Sequence, residues 1–72
     1  MKNTIQIQAT ESAKLLRAQG WPIGGADEYD LGNFPGDTET LAARLGREVT
    51  KFERMELEQA IRSELDAASE AS

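Results

Sequence analysis

Seventy-two residues, eight of them basic and thirteen acidic, give a net charge of −5 and room for one small domain. The chain holds neither cysteine nor histidine, which removes disulfides, thiolate metal sites, the usual neutral-pH general base and the commonest metal ligand together. A core of this size is marginal, and with those staples excluded a homodimer is the remaining way to enlarge it.

The N-terminal Thr4-Ile5-Gln6-Ile7-Gln8 alternates polar and apolar residues. That period predicts a short, half-buried strand. No apolar block of a signal peptide follows Lys2, and no run approaches the ~20 apolar residues of a membrane span, so a cytoplasmic location is expected. Thr10 is the expected N-cap of a first helix through Gln19, with Ala13, Leu16 and either Ala9 or Leu15 on its apolar side. Gly20 falls where a left-handed helix end is needed.

Residues 20–37 contain five of the six glycines and both prolines. Glycine and proline oppose helix propagation, so this stretch reads as a long central loop. Trp21, Ile23, Tyr29, Leu31 and Phe34 lie in it and argue for order, because they have much to gain from burial. A brief strand over 28–31 is expected to pair with 4–8. Trp21 and Phe34 are expected to be mostly buried, and Tyr29 to face outward with its acidic neighbours.

Pro35-Gly36 signals a turn. Asp37 or Thr38 is expected to cap a second helix over 38–45, which places Leu41, Ala42 and Leu45 on one face and ends at Gly46. Thr50-Lys51-Phe52-Glu53 has capping-box spacing and opens a third helix running to about Ala68. Leu57, Ile61, Leu65 and Ala68 form one stripe of that helix, while Phe52 and Met55 point elsewhere. Either the first turns pack on a different surface of the domain, or they meet a second copy in a homodimer through helix 50–68. Glu58, Arg62 and Asp66 stand at four-residue steps, suited to pairing along one exposed face. The expectation is an α+β fold, predominantly helical: a short N-terminal strand, three helices and a long central loop. It forms a single domain over 1–72, with 1–3 and 69–72 frayed.

The charge is unevenly spread. Between Ala18 and Ala43 stand five acids, Asp27, Glu28, Asp30, Asp37 and Glu39, and no lysine or arginine. Outside that window acids and bases cancel, so the entire net charge belongs to one segment. Such a field repels phosphate and attracts basic surfaces.

Few of these residues offer catalytic chemistry. Asp27, Glu28 and Asp30 are close in sequence, but acid–base work needs a preorganised, partly desolvated site, which this chain has little room to build. An enzyme is not expected. Asp27, Glu28, Asp30 and Asn33 have calcium-type oxygens without the spacing of a calcium loop. Gly24-Gly25 lacks the rest of either phosphate-binding fingerprint, so neither metal nor cofactor is expected.

Two recognition surfaces remain. Tyr29 beside Asp27, Glu28, Asp30, Asp37 and Glu39 suits a basic protein surface, because interfaces favour aromatic anchors and carboxylates select cations. The run Leu41-Ala42-Ala43-Arg44-Leu45-Gly46-Arg47-Glu48-Val49-Thr50-Lys51-Phe52 resembles part of a helix-turn-helix, with Ala42 four residues before the turn glycine. The resemblance implies a supporting helix over 38–45 and a recognition helix over 49–57. It implies DNA contacts from Arg47, Thr50, Lys51 and Arg54 in a small dimeric transcriptional regulator. Glu53 and Glu56 in that second helix, with Glu58 directly after it, oppose phosphate, so this reading ranks second and direct nucleic-acid binding is not favoured.

In size, acidity and lack of cysteine the chain resembles the small proteins with which phages and mobile elements disable host machinery. Inhibitors of CRISPR complexes and DNA mimics are among them. That resemblance implies a non-catalytic inhibitor engaging the basic surface of a nucleic-acid-handling protein.

Overall fold

A computed structural model describes residues 3–22 and 25–71, with side chains through residue 67. Its order is α1 (Thr4–Ala18), two single-turn 3-10 helices (Ala26–Glu28 and Leu31–Asn33), α2 (Pro35–Leu45) and α3 (Lys51–Ala71). No strand occurs among the described residues. The expected α+β fold is therefore corrected to an all-helical one.

Residues 4–8, expected as a strand, are the first turns of α1. Asn3 caps that helix, its side-chain oxygen accepting from the Gln6 amide at 2.7 Å. Thr10, expected at the cap, lies inside the helix, and its hydroxyl donates to the Gln6 carbonyl. The inward face of α1 comprises Gln8, Ala9, Ser12, Ala13 and Leu16. Helical spacing turns Ile5 partly inward and leaves Ile7 40% exposed, so the isoleucines do not share a face as an alternating strand would require. The expected partner strand over 28–31 is likewise absent: these residues join the two 3-10 turns.

α1 ends where glycine allows it. Gly20 adopts φ 95°. The Trp21 amide donates to the Leu16 carbonyl and the Gly20 amide to the Arg17 carbonyl, the paired bonds of a Schellman end. α2 starts at Pro35, earlier than the expected Asp37 or Thr38 cap, because proline fits the first helical position. It ends at Gly46, with φ 73°. α3 opens with the capping box: the Glu53 amide donates to the Thr50 hydroxyl, and the Thr50 amide to the Glu53 carboxylate. It continues to Ala71. Met1, Lys2 and Ser72 of the expected frayed ends, and Ile23 and Gly24 of the expected central loop, lie outside the described residues.

The core joins all these elements. Ala9, Ala13 and Leu16 of α1 meet Leu57, Ile61 and Leu65 of α3, with Leu41 of α2 and Ala26, Tyr29 and Leu31 of the linker closing the cluster. Small alanines let α1 and α3 approach closely, and the most extensive packing in the domain is between them. No helix among the described residues is long and apolar enough to cross a membrane.

Candidate functional site

The linker between α1 and α2 is ordered around three aromatic rings. Tyr29 and Phe34 stack with centroids 5.1 Å apart, and Trp21 meets both edge-on at 6.3 and 5.7 Å. The Trp21 indole donates to the Gly25 carbonyl at 3.0 Å. Trp21 and Phe34 are half-buried. Tyr29 is wholly buried, which corrects the expectation that it faces outward. Its hydroxyl donates to Asp37 at 2.7 Å, so its polar tip has a partner inside the domain. Burial, then the bond to Asp37, then the charges of Asp37, Glu58 and Asp30 push its phenol well above the ordinary range.

Two side chains of α3 hold the linker. Glu58 accepts the Leu31 amide at 3.1 Å. Arg62 donates through two guanidinium nitrogens to the Tyr29 carbonyl, at 3.0 and 2.8 Å, and pairs with Glu58 at 3.7 Å. The four-residue spacing of Glu58 and Arg62 reads as a surface pair. It serves instead to satisfy backbone groups of an irregular segment that has no ladder of its own.

The five central acids separate into two groups. Asp37, half-buried in the first turn of α2, accepts from Ser12 at 2.9 Å and from Tyr29. Ser12 in turn accepts from the Gln8 side-chain amide nitrogen at 3.0 Å, and the Gln8 side-chain oxygen is buried with no hydrogen-bond partner among the described residues. Asp37 is therefore a structural junction. Asp27, Glu28, Asp30 and Glu39 are exposed. Asp30 accepts from the Gly32 amide at 3.0 Å and, on its other oxygen, from the Asn33 side chain at 3.5 Å, whereas Asp27, Glu28 and Glu39 make no side-chain hydrogen bond among the described residues. None of the five is in an ion pair among the described residues, and three of the arginines are engaged elsewhere: Arg44 with Glu11, Arg47 with Glu53 and Arg62 with Glu58.

The helix-turn-helix residues fare differently from one another. Arg47 grips Glu53 with two nitrogens at 2.7 and 2.6 Å. That grip, followed by the Thr50 amide, lowers the Glu53 carboxyl to about 2, and the same pair raises Arg47 above its usual value. Thr50 is committed to the cap of α3. Only Lys51 and Arg54 of that set are exposed without an ion pair among the described residues. They share a hollow of about 510 Å³ with Leu31, Pro35, Glu39 and Glu58.

A second hollow, of about 400 Å³, lies across Met55 and is lined by Ile5, Gln6, Phe52 and Ala60. Phe52 is 78% exposed and Met55 58%. No three acidic side chains converge as a cation site among the described residues. The arrangement offers a carboxylate surface, a hollow of mixed charge and an apolar ridge. Comparisons with protein-family models, curated proteins and solved structures found no match to the chain.

Proposed function

We propose that this protein is a non-catalytic binding module that engages a basic protein surface through Asp27, Glu28 and Asp30, with Glu39 at the margin. One observation carries the reading: the central acids have no cationic partner among the described residues, while Arg44, Arg47 and Arg62 are committed to other glutamates. Unpaired surface carboxylates keep their field, and that field raises the encounter rate with a cationic partner and rejects an anionic one. Glu58 and Arg62 hold the segment that bears the acids, so little ordering entropy is lost on binding. An electropositive groove that binds nucleic-acid phosphates is a partner surface of the matching charge. The module would act there as an inhibitor, its carboxylates standing in for phosphates. Tyr29, being buried, serves as support for the surface and not as a contact.

The test uses Asp27→Lys with Glu28→Lys, since neither side chain supports the fold through a hydrogen bond. Proteins captured on the immobilised wild type should be lost on the reversed variant at equal salt, with helical circular dichroism unchanged. Random-sequence DNA should not shift. Capture that survives the reversal refutes the reading. A salt-sensitive DNA shift abolished by Lys51→Glu with Arg54→Glu would replace it with the helix-turn-helix regulator.

A further inference from the structure

α2 and α3 follow one another in the chain yet scarcely touch. α2 packs on α1 and the second 3-10 turn, and α3 on α1 and the first. The hollow of about 510 Å³ lies in the gap between them, with a volume in the range of small-ligand pockets. Pro35, Thr38 and Glu39 recur at three- and four-residue spacing on α2, so they form one face of that helix. Lys51, Arg54, Met55 and Glu58 do the same on α3. Leu31, Pro35 and Met55 give the gap an apolar lining.

The two walls differ in charge. Glu39 on α2 is exposed and in no ion pair among the described residues, and Leu31 and Gly32 lead directly into Asp30 of the carboxylate surface. On α3, Lys51 and Arg54 are exposed and also in no ion pair among the described residues. Glu58 is already engaged by Arg62 and the Leu31 amide, which leaves the cations dominant on that wall. A uniformly basic segment laid in the gap would meet Lys51 and Arg54. A uniformly acidic one would meet Glu39 and Asp30. Opposite charges on the two sides of an apolar residue complement both walls.

The carboxylate surface has no aromatic anchor of its own, because Tyr29 is buried. Interfaces draw most of their energy from a few anchors seated in pockets. We propose that the gap between α2 and α3 is the anchor pocket for the basic partner, an inference that rests on the carboxylate interface proposed above. It takes a leucine-sized side chain from a segment with a cationic residue toward α2 and an acidic residue toward α3. The acids Asp27, Glu28 and Asp30 attract basic surfaces in general, and the pocket selects among them.

Short peptides titrated into the full chain, followed through its amide NMR signals at matched salt, test this. Lys-Lys-Leu-Asp-Asp and the reversed Asp-Asp-Leu-Lys-Lys supply both chain directions. At least one of them should shift the Thr38, Glu39, Lys51 and Met55 amides to saturation. Serine in place of the leucine should weaken that binding at least about tenfold. At the same amides, Lys-Lys-Leu-Lys-Lys should bind the wild type more weakly than the better mixed peptide. Lys51→Glu with Arg54→Glu should invert that order and retain the helical signal, since both side chains are exposed. The pocket is refuted if neither mixed peptide shifts these amides, if the serine peptide binds as tightly, or if the order survives the reversal. Lys-Lys-Ser-Lys-Lys separates the two readings. A salt-sensitive shift at residues 27–30 that does not depend on leucine overturns the pocket and leaves the carboxylate interface standing. No shift at 27–30 with any lysine peptide sinks both.

Discussion

The Tyr29 hydroxyl donates to one oxygen of Asp37 at 2.7 Å, while the Ser12 hydroxyl occupies the other at 2.9 Å. A single carboxylate thus ties the linker and α1 to the first turn of α2, where the helix dipole also favours a negative charge. Tyr29→Phe keeps the stacked ring and removes only the donor. Leaving a half-buried carboxylate oxygen unpaired costs about 1–3 kcal/mol. For a domain this small each kcal/mol lowers the melting temperature by about 4–8 °C. Thermal melts of wild type and variant check it, and identical melts would show that the bond contributes nothing.

The same tyrosine predicts an alkaline limit to the fold. Burial, the bond to Asp37 and the surrounding carboxylates hold the folded phenol above the ordinary value of 10.0. The protonated form is therefore the one the fold favours. Its contribution is complete below pH about 10 and declines as pH rises above that value. Tyr29 is the sole tyrosine, so phenolate absorbance reports it alone. No phenolate should form in the folded protein near pH 10, and its appearance should coincide with loss of helical circular dichroism. An ordinary titration with the helices intact would contradict the buried placement.

At the start of α3 the sign reverses. Glu53 is held at about 2, against an ordinary 4.5, chiefly by the hydrogen bonds from Arg47. The charged form is favoured by the fold, so its contribution is present above pH 4.5 and fades as pH falls toward 2. Carboxylate NMR titration should find Glu53 well below the ordinary glutamate value of 4.5, and Arg47→Ala should return it toward that value. Thr50→Ala removes the reciprocal half of the cap, at a cost of about 1 kcal/mol by denaturant titration. A Glu53 midpoint unmoved by Arg47→Ala would sink the assignment.

Two glycines should respond in opposite directions to alanine. A methyl group on Gly25 would stand 3.0 Å from the Pro22 ring and 3.1 Å from both the Pro22 carbonyl and the Trp21 indole nitrogen. Gly25→Ala should therefore disturb the aromatic cluster, lowering the melting temperature and shifting the fluorescence of the sole tryptophan. Gly36, in the first turn of α2, has open space around it. Gly36→Ala should stabilise the protein by roughly 0.5–1 kcal/mol through a less flexible unfolded chain. Equal effects at the two positions would argue against the packing described around Trp21.

Local rules were readable where one or two residues decide the outcome. Gly20 and Gly46 mark helix ends because left-handed backbone suits them, and Thr50 with Glu53 marks a start because its hydrogen bonds are local. Leu57, Ile61 and Leu65 announce the inner stripe of α3 by spacing alone. α1 was obscured because two of its inward positions are Gln8 and Ser12, polar residues buried in a hydrogen-bonded chain that ends on Asp37. Without them, the alternation of residues 4–8 resembles a strand. The inward turn of Tyr29 was hidden for a related reason. Its partner Asp37 is one acid among five of similar appearance, and only the tertiary arrangement separates the buried carboxylate from the exposed ones. The linker's dependence on Glu58 and Arg62 joins segments 27 and 33 residues apart, which periodicity does not report.

The Glu58–Arg62 clasp also fixes how the linker lies on α3. Leu57, Ile61 and Leu65 seat α3 against Ala9 and Ala13 of α1, and Glu64 accepts from Gln6 at 2.7 Å and from Thr10 at 3.3 Å across the same contact. Slippage of α3 by one residue would advance it about 1.5 Å and swing it about 100°. Both the Leu31 amide and the Tyr29 carbonyl would then lose their partners in a single step. The irregular linker thereby acts as an index pin: it reinforces the one rotational setting of the long helix that the buried Leu57, Ile61 and Leu65 and the Glu64 contacts already select.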